Sequence, residues 1–187
     1  MRLFVAIGLT DGVRAALKRS QASLGPACKD VRWIPSEQLH LTLKFLGEVP
    51  DGEVDGVAEG VAAGAALGRP FAMEVGGCGC FPPRGAVRIV WAGVHEPSGA
   101  LAECVERVEQ ELENIGYPRE DRPFSAHITM GRVREDRSRG ALRDAVEGFT
   151  LDRVGQPVRE ITLMASVLSP RGPSYTVVSR MRLGPVE

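Results

Sequence analysis

Two stretches of the chain alternate apolar and polar residues with a period of two, which is the pattern of a strand with one buried face. They cover residues 39–45 and about 124–133. Elsewhere, apolar residues recur every three or four positions, as on an amphipathic helix. This spacing predicts helices over residues 11–23, 53–67 and 98–115, with a further short helix over 138–147. Gly116 occupies the position expected of a C-cap for the helix over 98–115.

Shorter apolar runs bounded by Gly, Pro or Asp predict more strands. They cover residues 2–9, 31–34, 71–78, 87–94, 158–168 and 174–183. The segment GGCGCFPPRG (residues 76–85) predicts a bend or loop, and residues 170–173 predict a hairpin. Because such short turns join antiparallel strands, the pattern predicts an α+β fold with antiparallel sheets rather than a parallel one. No linker divides the chain, so a single domain over 1–187 is expected.

Composition narrows the class of protein. The chain has 187 residues, 43% of them hydrophobic and 25% charged, with a formal net charge of −1. A coat of positive charge for long nucleic acid is therefore not expected, although a few local donors suffice for a phosphate-bearing ligand. No apolar stretch approaches the roughly 20 residues needed to span a bilayer, and the start lacks the features of a signal peptide. We expect a cytoplasmic protein with reduced cysteines and no membrane association.

The chain has only three histidines, and two of them begin near-copies of one pattern: HLTLKFLGEV at 40–49 and HITMGRV at 127–133. Residues i and i+2 of a strand share a face. His40 therefore lies beside Thr42, and His127 lies beside Thr129. One isolated His-x-Thr is usually structural, but two copies on alternating strands favour a shared site. If the strands are close, two imidazoles and two hydroxyls converge on one cleft.

This set of side chains suits phosphoryl chemistry. Histidine titrates near neutrality, with an ordinary pKa of about 6.5, so one imidazole can accept a proton while the other donates one. Threonine hydroxyls can donate hydrogen bonds to phosphoryl oxygens that gain negative charge. The sequence therefore predicts acid–base attack at phosphorus, with no carboxylate cluster beside either motif to hold a metal ion.

The two motifs resemble those of the two-histidine (2H) phosphoesterase superfamily, and most closely the bacterial and archaeal RNA 2′,3′-cyclic phosphodiesterases, also called 2′-5′ RNA ligases. The resemblance extends over nearly the whole chain: MRLFVAI, VRWIPSEQLHLTLKFLGEV, GCGCFPPRGAVRIVWAGV, FSAHITMGRV and LSPRGPSYTVV. One departure is Ala126, where the family usually has proline. The resemblance implies a bilobal fold. Its two antiparallel sheets would be related by an approximate twofold, with interleaved lobes, helices outside and a central cleft.

The resemblance also implies roles for the motif residues. His40 would donate a proton to the leaving ribose oxygen, His127 would accept one from water, and Thr42 and Thr129 would hold the non-bridging oxygens. The reaction would open a 2′,3′-cyclic phosphate at an RNA end to a 2′-phosphate, and a 5′-hydroxyl in place of water would give 2′-5′ ligation. No cofactor or metal would be required. The division into acid and base comes from the resemblance alone.

Further candidates surround the motifs. Strict alternation places Arg132 on the Ile128 face, away from His127, although a bulge at Gly131 would redirect it towards phosphate. The same alternation places Lys44 on the histidine face as a second candidate for attracting phosphate, and Phe45 on the buried one. Four aromatic residues are candidates for stacking on a base: Phe4, Trp33, Phe45 and Tyr175.

Three alternatives stay open. The same chemistry could act on a small cyclic nucleotide such as ADP-ribose 1″,2″-cyclic phosphate, or on a 2′-5′ linkage. The chain could be an RNA-end binding module without turnover. A metal hydrolase built on Cys78, Cys80 and His95 is a weak third alternative, because no second ligand pair has the usual spacing. A monomer that binds RNA ends or small cyclic-phosphate nucleotides is expected.

Overall fold

The computed structural model describes residues 1–169 and 172–184. Nine strands and four α-helices lie within these ranges. The strands are β1 (Arg2–Gly8), β2 (Val31–Trp33), β3 (His40–Glu48), β4 (Phe71–Phe81), β5 (Ile89–His95), β6 (His127–Val133), β7 (Val154–Val158), β8 (Glu160–Ser169) and β9 (Gly172–Arg182). The helices are α1 (Asp11–Leu24), α2 (Val54–Ala66), α3 (Ala100–Asn114) and α4 (Ala141–Glu147).

The strands form one curled antiparallel sheet in the order β7-β4-β5-β6-β3-β1-β8-β9, and the short β2 also pairs with β6. Two four-stranded halves, β7-β4-β5-β6 and β3-β1-β8-β9, meet where β3 and β6 run side by side. Leu41 on β3 is paired with Ile128 on β6 at this junction. The two expected sheets are therefore joined, and the strands that carry the two motifs are the ones that join them.

The hydrophobic core lies between one face of the sheet and the helices. Odd-numbered residues of β1 are buried there with the apolar stripes of the helices. So are Leu41, Leu43, Ile128 and Met130 of the two motif strands. Helices α2 and α3 pack closely, because a Cβ at Gly64 would lie 3.0 Å from the Cα of Val108. The α+β class and the antiparallel arrangement predicted from the sequence are confirmed. No helix in the described ranges is long and apolar enough to cross a membrane.

Most of the predicted elements are present, but one prediction was wrong and one strand was missed. Residues 76–85 are not simply a loop, because β4 continues through Phe81. Gly79 instead lies under the ring of Trp91, where a Cβ would be 2.2 Å from Cζ2. Strand β7 was not predicted at all, since its sequence VGQPV contains both glycine and proline. The turn residues 170–171 of the predicted hairpin lie outside the described ranges, although the flanking strands β8 and β9 pair as expected.

Candidate active site

The junction of β3 and β6 brings the two His-x-Thr motifs together. Because Leu41 is paired with Ile128 in an antiparallel ladder, His40 lies across from Thr129 and Thr42 lies across from His127. Diagonal neighbours on such a pair are about 7–8 Å apart, a separation that one phosphate group can bridge. All four side chains line a single cavity of about 570 Å³. The convergence expected from the sequence is therefore present in the structure.

The cavity is lined by residues from both halves of the sheet. They are Arg2, Leu3, Phe4, Ile34, Gln38, His40, Thr42, Phe45, Ile89, His127, Thr129, Arg132, Ser166, Pro173 and Tyr175. This set contains two arginines and two histidines but no carboxylate. The electrostatic potential of such a cavity favours an anionic ligand, even though the whole chain carries a net charge of −1.

Both imidazoles are held in the same way. Nδ1 of His40 lies 2.8 Å from the carbonyl oxygen of Gln38, and Nδ1 of His127 lies 2.7 Å from that of Ser125. A carbonyl oxygen only accepts hydrogen bonds, so each Nδ1 carries a proton and donates it. Each Nε2 is then the nitrogen left for chemistry. This matched tautomer is what proton transfer to and from one ligand requires.

Aromatic residues of nearby strands pack against both imidazole rings. Gly8 on β1 is paired with His40, and Gly93 on β5 is paired with His127. The ring of Phe4 lies 4.9 Å from that of His40, and the ring of Phe81 lies 5.0 Å, edge-on, from that of His127. These ring contacts restrict the orientation of each imidazole. The contact of Phe81 with His127 was not predicted from the sequence.

Burial lowers the pKa of His40 below its ordinary value, because a charged imidazolium is poorly solvated there. The positive charges of Arg132 and Arg14 lower the pKa further, while the hydrogen bond to the Gln38 carbonyl raises it. An anion placed beside the ring would oppose both of the lowering effects. Without a neighbouring anion, His40 is therefore neutral over a wider pH range than a free histidine.

The remaining polar groups of the motifs are available to a ligand. Within residues 1–169 and 172–184, neither the hydroxyl of Thr42 nor that of Thr129 has a hydrogen-bond partner, and the guanidinium of Arg132 has no ion pair. All three side chains line the cavity. Together with the two Nε2 atoms, they form a set of donors and acceptors around one space.

Arg132 reaches this cavity because β6 contains a bulge. Trp91 is paired with Thr129 and Val90 with Gly131, so Met130 is the extra residue. The bulge moves Arg132 from the face predicted by strict alternation to the histidine face, as the glycine at 131 had suggested. A Cβ at Gly131 would lie 2.3 Å from Cγ1 of Val31. The redirected arginine therefore depends on a position where only glycine fits.

Strand β3 contains a matching bulge, which overturns the predicted orientations of Lys44 and Phe45. Val5 is paired with Lys44 and Ala6 with Thr42, so Leu43 is the extra residue. After it, the side chain of Phe45 lies in the cavity and is 57% exposed, whereas Lys44 is 3% exposed. Lys44 was predicted on the histidine face and Phe45 on the buried face. Both predictions were wrong, because strict alternation ignored the bulge.

Lys44 is instead part of the scaffold behind the site. Its Nζ donates to Oε2 of Glu109 at 2.5 Å and to the carbonyl oxygen of Pro118 at 2.7 Å. Glu109 belongs to α3 and is itself 7% exposed. Lys44 therefore connects the first motif strand to α3 through Glu109. Through Pro118, it also connects this strand to the segment that leads into His127.

Two polar residues of α1, not predicted from the sequence, support the motifs from the other side. Arg14 donates to the carbonyl oxygens of Leu9 and Ser36, at the turn that leads into His40. Nε2 of Gln21 donates to the carbonyl oxygens of Ile34, which follows β2, and of Met130, the extra residue in β6. The helical pattern of α1 could not reveal these contacts, because they are made to strands far away in sequence.

Three of the four predicted aromatic candidates line the cavity: Phe4, Phe45 and Tyr175. Trp33 does not, and its ring lies next to Gly131. The cysteines are free thiols. In the described ranges, no group of three or more His, Cys, Asp or Glu side chains is arranged to hold a metal ion, so the set of Cys78, Cys80 and His95 is not brought together as a metal site.

The fold is that of a phosphoesterase of the two-histidine class. The chain belongs to the LigT-like phosphoesterase family, whose model matches residues 7–91 and 93–175. Each matched segment contains one His-x-Thr motif, so the family pattern occurs once in each half of the chain. The family resemblance inferred from the sequence is confirmed.

Relatives of known name agree with this assignment. An RNA 2′,3′-cyclic phosphodiesterase of Methanothermobacter thermautotrophicus is 34% identical over 98% of this chain and 99% of its own length. A protein of the same name from Thermus thermophilus is 38% identical, over 98% of this chain and 90% of its own. The crystal structure of a Thermus thermophilus protein superposes over 100% of both chains, with a TM-score of 0.83 and 31% identity. E. coli LigT in complex with 3′-AMP matches over 97% of both chains, with a TM-score of 0.75 and 27% identity.

Proposed function

We propose that this protein hydrolyses the 2′,3′-cyclic phosphate at an RNA end to a 2′-phosphate, by acid–base catalysis between two histidines and without a metal ion. The observation that carries the proposal is the pairing of β3 with β6. Because of this pairing, the two histidines, the two threonines and Arg132 line the same cavity. The names of the relatives, RNA 2′,3′-cyclic phosphodiesterase, support this choice of substrate.

The proton transfers follow from the tautomers. Nε2 of His127 accepts a proton from water as the water oxygen attacks phosphorus. The bond from phosphorus to the ribose O3′ breaks, and Nε2 of His40 donates a proton to that oxygen. Nδ1 of each ring stays bonded to its carbonyl throughout, so the rings keep their orientation. Each proton transfer is typically worth about 10²–10⁴-fold in rate.

The substrate itself prepares His40 to act as the acid. Burial lowers the pKa of His40 below its ordinary value, which disfavours the protonated ring. A cyclic phosphate carries a negative charge, and that charge next to the ring stabilises the imidazolium. Binding of the anion therefore raises the pKa of His40 and favours protonation of its Nε2. This is the proton that the leaving O3′ receives. Thr42, Thr129 and Arg132 stabilise the charge that gathers on the non-bridging oxygens.

The reaction tests the proposal directly. Purified protein is incubated with an oligonucleotide that ends in a 2′,3′-cyclic phosphate, in excess EDTA, and the product is identified by phosphorus NMR against authentic standards. We expect a 2′-phosphate at an undiminished rate. A 3′-phosphate product would contradict the roles assigned to the two histidines. Loss of activity in EDTA would contradict the metal-independent mechanism.

The same assay separates the alternative substrates. ADP-ribose 1″,2″-cyclic phosphate and a 2′-5′-linked dinucleotide are compared with the oligonucleotide at equal concentration. The highest kcat/KM is expected for the oligonucleotide. Binding of all three without turnover would instead indicate a non-catalytic RNA-end module. Adding an oligonucleotide with a 5′-hydroxyl tests ligation, in which this hydroxyl replaces water as the nucleophile and O3′ again leaves, and we expect a 2′-5′ linkage.

Arg132 is expected to contribute to the reaction through its charge. Replacing it by glutamine keeps a hydrogen-bond donor but removes the positive charge from beside the phosphate. We expect kcat/KM to fall about 10–100-fold, the range for loss of a hydrogen bond to a charged group. Arg134→Gln is the matched control, since Arg134 is exposed and does not line the cavity. An equal effect of the two substitutions would rule out a specific role for Arg132.

A further inference from the structure

A row of three paired residues that line the cavity crosses strands β1, β8 and β9. Arg2 on β1 is paired with Ser166 on β8, and Ser166 is paired with Tyr175 on β9. All three line the cavity. Arg2 and Ser166 belong to neither His-x-Thr motif, and the proposed reaction gives them no role.

The polar groups of this row have no partners in the described part of the chain. Neither the guanidinium of Arg2 nor the hydroxyl of Ser166 makes a hydrogen bond or ion pair there. Glu48 lies directly across from Arg2 on β3. Its carboxylate, however, lies 3.7 Å from the terminal amino group of Met1 rather than by Arg2. An exposed arginine at a cavity lined by no carboxylate is thus left with its charge uncompensated.

The position of Arg2 relative to the motifs is fixed by strand β1. Thr42 is paired with Ala6, and Phe45 is paired with Phe4. Arg2 follows two residues further along the same face, so its Cα is about 13 Å from that of Ala6 at roughly 3.3 Å per residue. A long arginine side chain shortens the remaining gap. We therefore take one nucleoside to fit between the guanidinium of Arg2 and a phosphate at Thr42.

Aromatic rings fill one side of that interval. The ring of Phe4 lies 6.0 Å from that of Phe45 and 5.3 Å from that of Tyr175. Phe45 is 57% exposed and faces the cavity. A nucleoside whose cyclic phosphate lies between the histidines would rest against these rings. The rest of an RNA chain can leave such a nucleoside only through its 5′ oxygen, and that oxygen carries the next phosphate.

We infer that Arg2, assisted by the hydroxyl of Ser166, binds the phosphate on the 5′ side of the terminal nucleoside. The inference rests on the proposed function and adds a second phosphate contact to it. Guanidinium groups recognise phosphate through paired, charge-assisted hydrogen bonds. Arg2 then makes the protein select RNA ends over nucleosides that carry only the cyclic phosphate.

The test compares three substrates that share one terminal nucleoside. They are the nucleoside 2′,3′-cyclic phosphate, the same compound with a 5′-monophosphate, and a dinucleotide with a 2′,3′-cyclic end. For the unaltered protein, we expect both phosphate-bearing substrates to show a kcat/KM at least about 10-fold above that of the bare nucleoside. In Arg2→Gln, this ratio should fall below about twofold. Arg19→Gln, at an exposed site on α1 that does not line the cavity, should keep the full ratio.

Three results would overturn the inference. A ratio near one in the unaltered protein would show that the 5′ phosphate is not recognised. A full ratio in Arg2→Gln would show that another group recognises it. A gain confined to the 5′-monophosphate would exclude contact with the diester of an RNA chain.

A binding measurement separates this inference from the proposed reaction. Calorimetric affinities of the nucleoside 2′-phosphate, with and without a 5′-phosphate, are measured for the same variants. The 5′-phosphate should tighten binding by a similar factor, and Arg2→Gln should remove most of that factor. This comparison tests the role of Arg2 by binding alone, so it does not depend on turnover. Absence of turnover with any substrate would contradict the proposed function but not the role of Arg2 in binding.

Discussion

Replacing His40 or His127 by alanine should lower kcat on a 2′,3′-cyclic-phosphate oligonucleotide by at least about 10²-fold, and by up to about 10⁴-fold, with little change in KM. Each substitution removes the imidazole that transfers a proton on its side of the phosphate. Both histidines line the cavity and both have the same tautomer. Because one transfers a proton to the leaving oxygen and the other takes one from water, neither can replace the other. Steady-state kinetics on the two variants provide the measurement.

The third histidine supplies the control. His95 is exposed at the end of β5 and does not line the cavity, so His95→Ala should leave kcat within about twofold. The double variant of His40 and His127 should be little worse than either single variant, since acid and base act in one reaction. A single variant that keeps more than about a tenth of the original kcat would contradict the mechanism. Loss of binding without any turnover in the original protein would favour the non-catalytic module.

The sequence predicts the centre of this site because the relevant pattern is local. His and Thr two residues apart on a strand share a face whatever the rest of the fold does. The two copies of that pattern pointed to one shared cleft, and β3 and β6 are adjacent. The helices were also predictable, since their apolar stripes match the face that they bury.

The prediction failed beyond the threonines, and the reason is the same in both strands. Each motif strand inserts one extra residue directly after its threonine, Leu43 in β3 and Met130 in β6. An inserted residue exchanges the two faces for everything that follows. In β6, glycine at 131 gave a visible hint of this. In β3 the corresponding residue is Lys44, which offers no such hint, so its burial could be learned only from the packing of α3.

Strand β7 was missed because its sequence breaks the rules of a central strand. Pro157 cannot donate a ladder hydrogen bond, and Gly155 has little strand propensity. At the edge of a sheet both residues are tolerated, and β7 is paired only with β4. The sequence alone does not show which strand is at the edge. The same limit applies to Arg2, whose relation to the cavity depends on pairing with β3 and β8.

Replacing Lys44 by methionine should lower the free energy of unfolding by about 3–5 kcal/mol, the range for removing one partner of a buried ion pair. Methionine keeps most of the apolar stem but leaves the carboxylate of Glu109 buried without its cation. The carbonyl oxygen of Pro118 loses its donor as well. Urea unfolding, followed by the signal of the two tryptophans, measures the change.

Two further variants show whether the charge pair is the cause. Replacing Lys44 by methionine and Glu109 by leucine together removes both charges, and should recover most of the lost stability, since apolar residues of similar volume can replace a buried pair. Arg107→Met breaks the exposed pair with Glu103, at 3.9 Å, and should cost no more than about 1 kcal/mol. If Lys44→Met cost as little as Arg107→Met, the buried pair would not be what ties β3 to α3. If the double variant were no more stable than Lys44→Met, the lysine would act through its contact with the segment before His127 rather than through Glu109.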